Sequence, residues 1–74
     1  MDPIDIQYEL KKRNVLQSQI AAEAGVHPVS ISKVIRGKMT SPRLMDLIAS
    51  HLGRDPREVF EKYPVKQVTS NPPA

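Results

Sequence analysis

The segment from Gln17 to Val34 leaves this chain few ways to fold. Ile20, Ala21 and Ala24 repeat at helical spacing, and Gly25 follows, the residue that takes a positive φ at a helix end. Val26 comes next as a hydrophobic plug. His27 then restarts the chain, with Pro28 suited to the first position of another helix that carries Ile31, Val34 and Ile35 inward. Two short helices that cross through so tight a turn need a small residue where their backbones approach, and Ala21 supplies it. They also need a glycine at the bend and apolar residues on both inner sides, and each of those places is filled.

The flanking sequence repeats the same punctuation. Asp2, Pro3 and Asp5 predict the start of a first helix, with Ile6 and Leu10 on one face, Lys11, Lys12 and Arg13 in its last turn and Asn14 as its stop. Gly37 ends the third helix. Ser41 and Pro42 open a fourth, whose stripe is Leu44, Met45, Ile48, Ala49 and Leu52, and Gly53 closes it. Asp55, Pro56 and Glu58 open a short fifth with Val59, Phe60 and Tyr63 to bury, with Val59 assigned to the core and Phe60 and Tyr63 open between core and subunit interface. The expected domain is residues 2–64, with a disordered tail over 65–74, where the sequence is polar and proline-containing. The class expected is all-α.

At 74 residues the chain makes one domain, and it has no cysteine to staple it or to bind a metal as thiolate. A domain this small buries only about 60–65% of its unfolded surface, so it is stable by close packing or by pairing with a second copy. No secretory leader, no membrane span and no metal site are expected, since His27 and His51 stand far apart and no apolar run nears ~20 residues. Without a cysteine nucleophile or a glycine-rich phosphate loop, no enzyme activity, cofactor or small-molecule ligand is expected either, and the cytoplasm of a prokaryotic or phage-infected cell is the expected location. The net charge of +3 is concentrated. Basic and acidic residues nearly cancel before Ala24 and after Met45, whereas between them Lys33, Arg36, Lys38 and Arg43 meet no acid. That distribution suits a polyanion.

The runs Gln17-Ser18-Gln19-Ile20-Ala21, Ala24-Gly25-Val26 and Ile31-Ser32-Lys33-Val34-Ile35-Arg36-Gly37-Lys38 resemble the phage repressor and Cro superfamily. The later Ile48-Ala49-Ser50-His51-Leu52-Gly53 and Asp55-Pro56-Arg57-Glu58-Val59-Phe60 are similar to the fourth and fifth helices of those domains, and the spacing through Tyr63-Pro64 resembles the short phage regulators of the Ner type. The resemblance covers about Ile6 to Tyr63. It implies a five-helix, lambda-repressor-like DNA-binding domain with a helix-turn-helix, operator binding on double-stranded DNA, and a homodimer on that DNA. The chain departs from the pattern at Pro28 and Val29, where many repressors carry base-reading glutamines, and after helix 3, where it lacks the aromatic and Pro-Lys-Gly stretch of Ner proteins.

The candidate DNA contacts are Gln17, His27, Pro28, Val29, Ser30, Ser32, Lys33, Arg36, Lys38 and Arg43. Gln17, at the start of helix 2, suits a phosphate together with the helix N–H groups, or is a simple polar helix start. Val29 suits a thymine methyl, or edges the core. Ser30, Ser32 and Lys33 are candidates for base edges, with Lys33 equally suited to phosphate. Arg36, Lys38 and Arg43 suit phosphates. Thr40 and Ser41 add hydroxyls, Ser41 being expected as a cap. His27 is either a contact or the N-cap of helix 3. The leading function is a transcriptional regulator, most often a repressor in a chain with nothing left over to sense a ligand. The alternative is an antitoxin or phage accessory module that uses the same helices to bind a protein.

Overall fold

A computed structural model describes residues 1–63. The expected tail over 65–74, and the domain boundary at Pro64, lie outside the described residues. Five helices follow in order: α1 (Pro3–Lys12), α2 (Gln17–Ala24), α3 (Pro28–Ile35), α4 (Pro42–Leu52) and α5 (Pro56–Val59). No strand occurs among the described residues, so the all-α class holds.

Four of the five helices end by one device. After α2, Gly25 turns into the left-handed region at φ 71°, its N–H reaches Ala22 O at 3.2 Å, and Val26 N–H reaches back to Ala21 O at 3.0 Å. This paired closure satisfies carbonyls that the helix itself leaves open. The same pattern ends α1 through Asn14, at φ 59°, with Val15 N–H on Leu10 O. It ends α3 at Gly37 and α4 at Gly53. In α1 and α2 the residue after the left-handed one, Val15 or Val26, packs partly buried against the core, so each stop also directs the chain inward.

The starts are less uniform. Proline occupies the first turn of α1, α3, α4 and α5. His27 caps α3 with its own ring, and Asp55 caps α5 through its carboxylate. Asp2 and Ser41 take the N-cap places of α1 and α4, but neither side chain accepts a bond. The cap expected of the Ser41 hydroxyl is therefore absent; its carbonyl instead receives Met45 N–H at 2.8 Å. Asp55 is the N-cap expected of it, and Arg57 is its donor, with the backbone N–H at 2.9 Å and the guanidinium at 3.0 and 3.2 Å.

The core draws on every helix. Ile6 and Leu10 of α1, Ile20 and Ala21 of α2, and Ile31, Val34 and Ile35 of α3 are buried. The whole expected stripe of α4 joins them, with Val59 and Phe60 from the far end. No polar or charged side chain is buried among the described residues, so the interior rests on apolar packing alone. α3 packs chiefly on α2, while α4 braces α2 and α5, and α1 leans on α3 and α4. Phe60, left open by sequence between core and interface, completes the monomer core at 7% exposure. Tyr63 is partly buried beside it, and its hydroxyl donates to Asp46 Oδ1 at 2.7 Å.

Candidate nucleic-acid interface

Burial of Ile31, Val34 and Ile35 fixes the rotation of α3, and with it what the other side presents. Val29, Ser32, Lys33 and Arg36 fall at i, i+3, i+4 and i+7, a single stripe opposite the buried residues. Val29 remains half exposed at 50%, and Lys33 and Arg36 are exposed. Ser30 and Ser32 are half-buried at the stripe's borders, and Pro28 is exposed at its front. Among the described residues the side chains of Lys33, Arg36 and Lys38 enter no ion pair and donate no hydrogen bond within the chain. Their charges face solvent within the acid-free run from Ala24 to Met45.

His27 sits at the head of this stripe. Its Nδ1 accepts the Val29 N–H at 3.1 Å, which is the capping reading of the two that the sequence left open. A neutral ring that accepts at Nδ1 carries its proton on Nε2, so the outer nitrogen is a donor. Gln17 is half-buried at the first position of α2. The residue before it, Leu16, takes the N-cap place with no group to accept a hydrogen bond and is 66% exposed. Helix starts favour Ser, Thr, Asp or Asn at that position because their oxygens satisfy the first N–H groups. Here Gln19 N–H turns to Leu16 O at 3.0 Å, and the Gln17 and Ser18 N–H groups at the positive end of α2 stay open among the described residues. Sequence reasoning passed over Leu16, although an apolar residue at the cap place was the signal to find it.

Arg43 departs from the other basic residues. Its Nη1 donates to Ala24 O at 3.0 Å, so one arm of the guanidinium closes the C-terminal end of α2. The same two helices are joined again by His51 Nε2 and Glu23 Oε1 at 3.0 Å. α4 thus grips α2 at two points and sets the platform on which α3 rests. Lys38 lies just past α3, its backbone N–H on Lys33 O at 2.8 Å, and Thr40 is exposed beyond it.

The groups with shifted proton affinities all lie outside this segment. The Arg57 side chain, and then its backbone N–H, hold the Asp55 carboxyl below the usual aspartate range. Asp55 in turn raises the Arg57 guanidinium, and the hydrogen bond to Asp46, followed by burial, raises the Tyr63 hydroxyl.

A helix ending on Gly25, a second helix with a buried inner side and an untied basic outer side, and helices that brace both form the pattern described by the sequence profile of the helix-turn-helix family, which matches residues 6–59. The chain belongs to that family. In this helix-turn-helix protein α2 and α3 are the two helices of the motif, and its function is DNA binding of the transcription-regulator type. The curated proteins and the solved structures compared with it contain no match. No described helix is long and apolar enough to cross a membrane.

Proposed function

We propose that this protein is a sequence-specific transcriptional repressor that places α3 in the major groove of double-stranded DNA. The observation that carries the reading is the untied stripe of α3, mounted on a rigid inner side within an acid-free segment. A major groove about 12 Å wide admits one helix, and the stripe offers it a graded set of groups. Val29 meets a thymine methyl, Ser30 and Ser32 reach base edges, and Lys33 donates to guanine O6 and N7 or to a neighbouring phosphate. The open N–H groups of α2, with Gln17, hold a phosphate and set the register. Arg36, Lys38, the Nε2–H of His27 and the remaining nitrogens of Arg43 line the backbone on either side, with Pro28 packed at the entrance.

Two copies act together on DNA. One such module covers only about 600–1,000 Å² of its own surface, whereas a pair spaced by ~34 Å reads two half-sites one helical turn apart. Bound at a promoter in the cytoplasm, the pair acts by occupancy, without catalysis, cofactor or small-molecule effector.

Selection of bound duplexes from a randomised pool tests the reading. The expected result is a defined site with twofold symmetry. Lys33→Ala then relaxes the preference at one position in each half-site, by about 1–3 kcal/mol if Lys33 reads a base. Enrichment of no sequence, with binding gone by ~0.2 M salt, would overturn the proposal.

A further inference from the structure

Four large apolar side chains are conspicuously exposed: Ile4 at 78%, Leu16 at 66%, Tyr8 at 62% and Val29 at 50%. Val29 belongs to the α3 stripe and Leu16 heads α2. Ile4 and Tyr8 belong to neither. They stand one turn apart on α1, on the side opposite Ile6 and Leu10. The C-terminal corner, by contrast, turns its aromatic groups inward, with Phe60 buried and the Tyr63 hydroxyl bound to Asp46.

We propose that this outward face of α1 is a surface for self-association, on which α1 lies antiparallel to α1 of a second copy about a twofold axis beside Tyr8. The charges around the stripe select that occupant. Asp5 and Lys12 are two turns apart and flank Ile4 and Tyr8 on the same side. Neither enters an ion pair among the described residues, although the neighbouring Glu9 and Arg13 pair with each other at 3.6 Å. The Lys12 ammonium lies 5.7 Å from the centre of the Tyr8 ring, within cation–π range, which holds it along the stripe. A twofold axis between positions 8 and 9 reverses the helix end for end and keeps each flank on its own side. Asp5 then faces Lys12 of the other copy, twice over, while the two Tyr8 rings meet near the axis and Ile4 packs on the stem of the facing Lys12. A parallel twofold instead exchanges the flanks, so Asp5 of one copy no longer meets Lys12 of the other and both pairings are lost. The surface is complementary to itself in one orientation, as an isologous contact requires.

The inference adds a location to the paired reading above, but its test needs no DNA. One short helix against its copy covers less than the about 1,200 Å² at which stable interfaces begin, so association is weak and reversible. Sedimentation equilibrium of the whole chain at low salt and rising concentration is expected to show a monomer–dimer equilibrium. Because the twofold repeats each pairing, Asp5→Lys alone or Lys12→Glu alone weakens association by about tenfold or more. The double variant recovers it to within about threefold, even though both changes oppose the α1 dipole. Tyr8→Glu, which sets like charges at the axis, leaves a monomer, and circular dichroism run beside it confirms that the helices remain. A wild-type chain that stays monomeric throughout, a double variant that fails to recover, or a Tyr8→Glu dimer as strong as wild type would overturn the proposal. A folded monomer that still selects a DNA half-site would remove this surface and leave the DNA reading intact; a dimer that selects no DNA would do the reverse.

Discussion

Two ends of the same small core treat their polar side chains in opposite ways. In the α4–α5 corner the chain supplies partners for three sets of groups, Asp55 with Arg57, Tyr63 with Asp46, and His51 of α4 with Glu23 of α2, while the side chains of Arg54, Glu58, Glu61 and Lys62 stay unbonded among the described residues. Along α3, Lys33, Arg36 and the neighbouring Lys38 are tied to nothing among the described residues, and Arg43, at the start of α4, reaches a carbonyl. Both regions are exposed and both contain arginine, so charge alone does not distinguish them. What separates them is whether the chain supplies the partner. A cation with an internal partner is part of the scaffold, whereas a row of cations without one, fixed in direction by burial on the opposite side, is a surface waiting for anions.

The largest break in this contrast comes from beneath the stripe. Ile31 is wholly buried, and Ile31→Ala is expected to cost about 2–5 kcal/mol, a large share of the marginal stability of a small domain. Urea unfolding should show the shift in midpoint, and DNA binding should fall in step with the unfolded fraction. Gly25→Ala comes next. A methyl there meets no atom within 4 Å, so the cost is that of an L-residue held at φ 71°, about 1–2 kcal/mol, read from the same titration.

A crossed pair of arginine variants sharpens the contrast. Arg36→Ala should leave the urea midpoint unchanged while DNA affinity falls and the salt slope shrinks by about one. Arg57→Ala should do the reverse, loosening α5 and leaving the DNA titration alone. The smallest effect is one of pH. The folded Asp55 carboxyl lies below its ordinary value because Arg57 bonds it. The stability it lends is therefore complete above the ordinary aspartate pKa of about 3.9 and disappears as pH falls through the lower folded value. Thermal unfolding measured down the acid range should lose a small increment there in wild type, and Asp55→Asn should lack that increment.

Most of the framework was legible because the chain is punctuated. Gly25, Gly37 and Gly53 mark helix ends by their backbone freedom, and Pro28, Pro42 and Pro56 mark starts by lacking an N–H, so the end of α2 and both limits of α3 follow from local chemistry. The α4 stripe was equally legible from its period. The links that escaped are those between residues far apart in sequence. Arg43 reaching Ala24, His51 reaching Glu23 and Tyr63 reaching Asp46 depend on how the helices pack, which no local rule encodes. The silent caps at Asp2 and Ser41 show the other limit, since a side chain of the right type only caps when it turns toward the open N–H groups. At the candidate site, which residues of α3 face outward was legible from Ile31, Val34 and Ile35. That Arg43 closes a helix end emerged only with the packing, whereas the uncapped start at Leu16 was written in the sequence and passed over.

The separation within α3 has a consequence for descent. Its inner residues answer to the core and its outer residues answer only to what lies outside the chain. Val29, Lys33 and Arg36 can therefore vary without disturbing the packing that holds them up. A lineage built on this scaffold can move from one target to another by a handful of substitutions, each tolerated by the fold, so the framework persists while its specificity drifts.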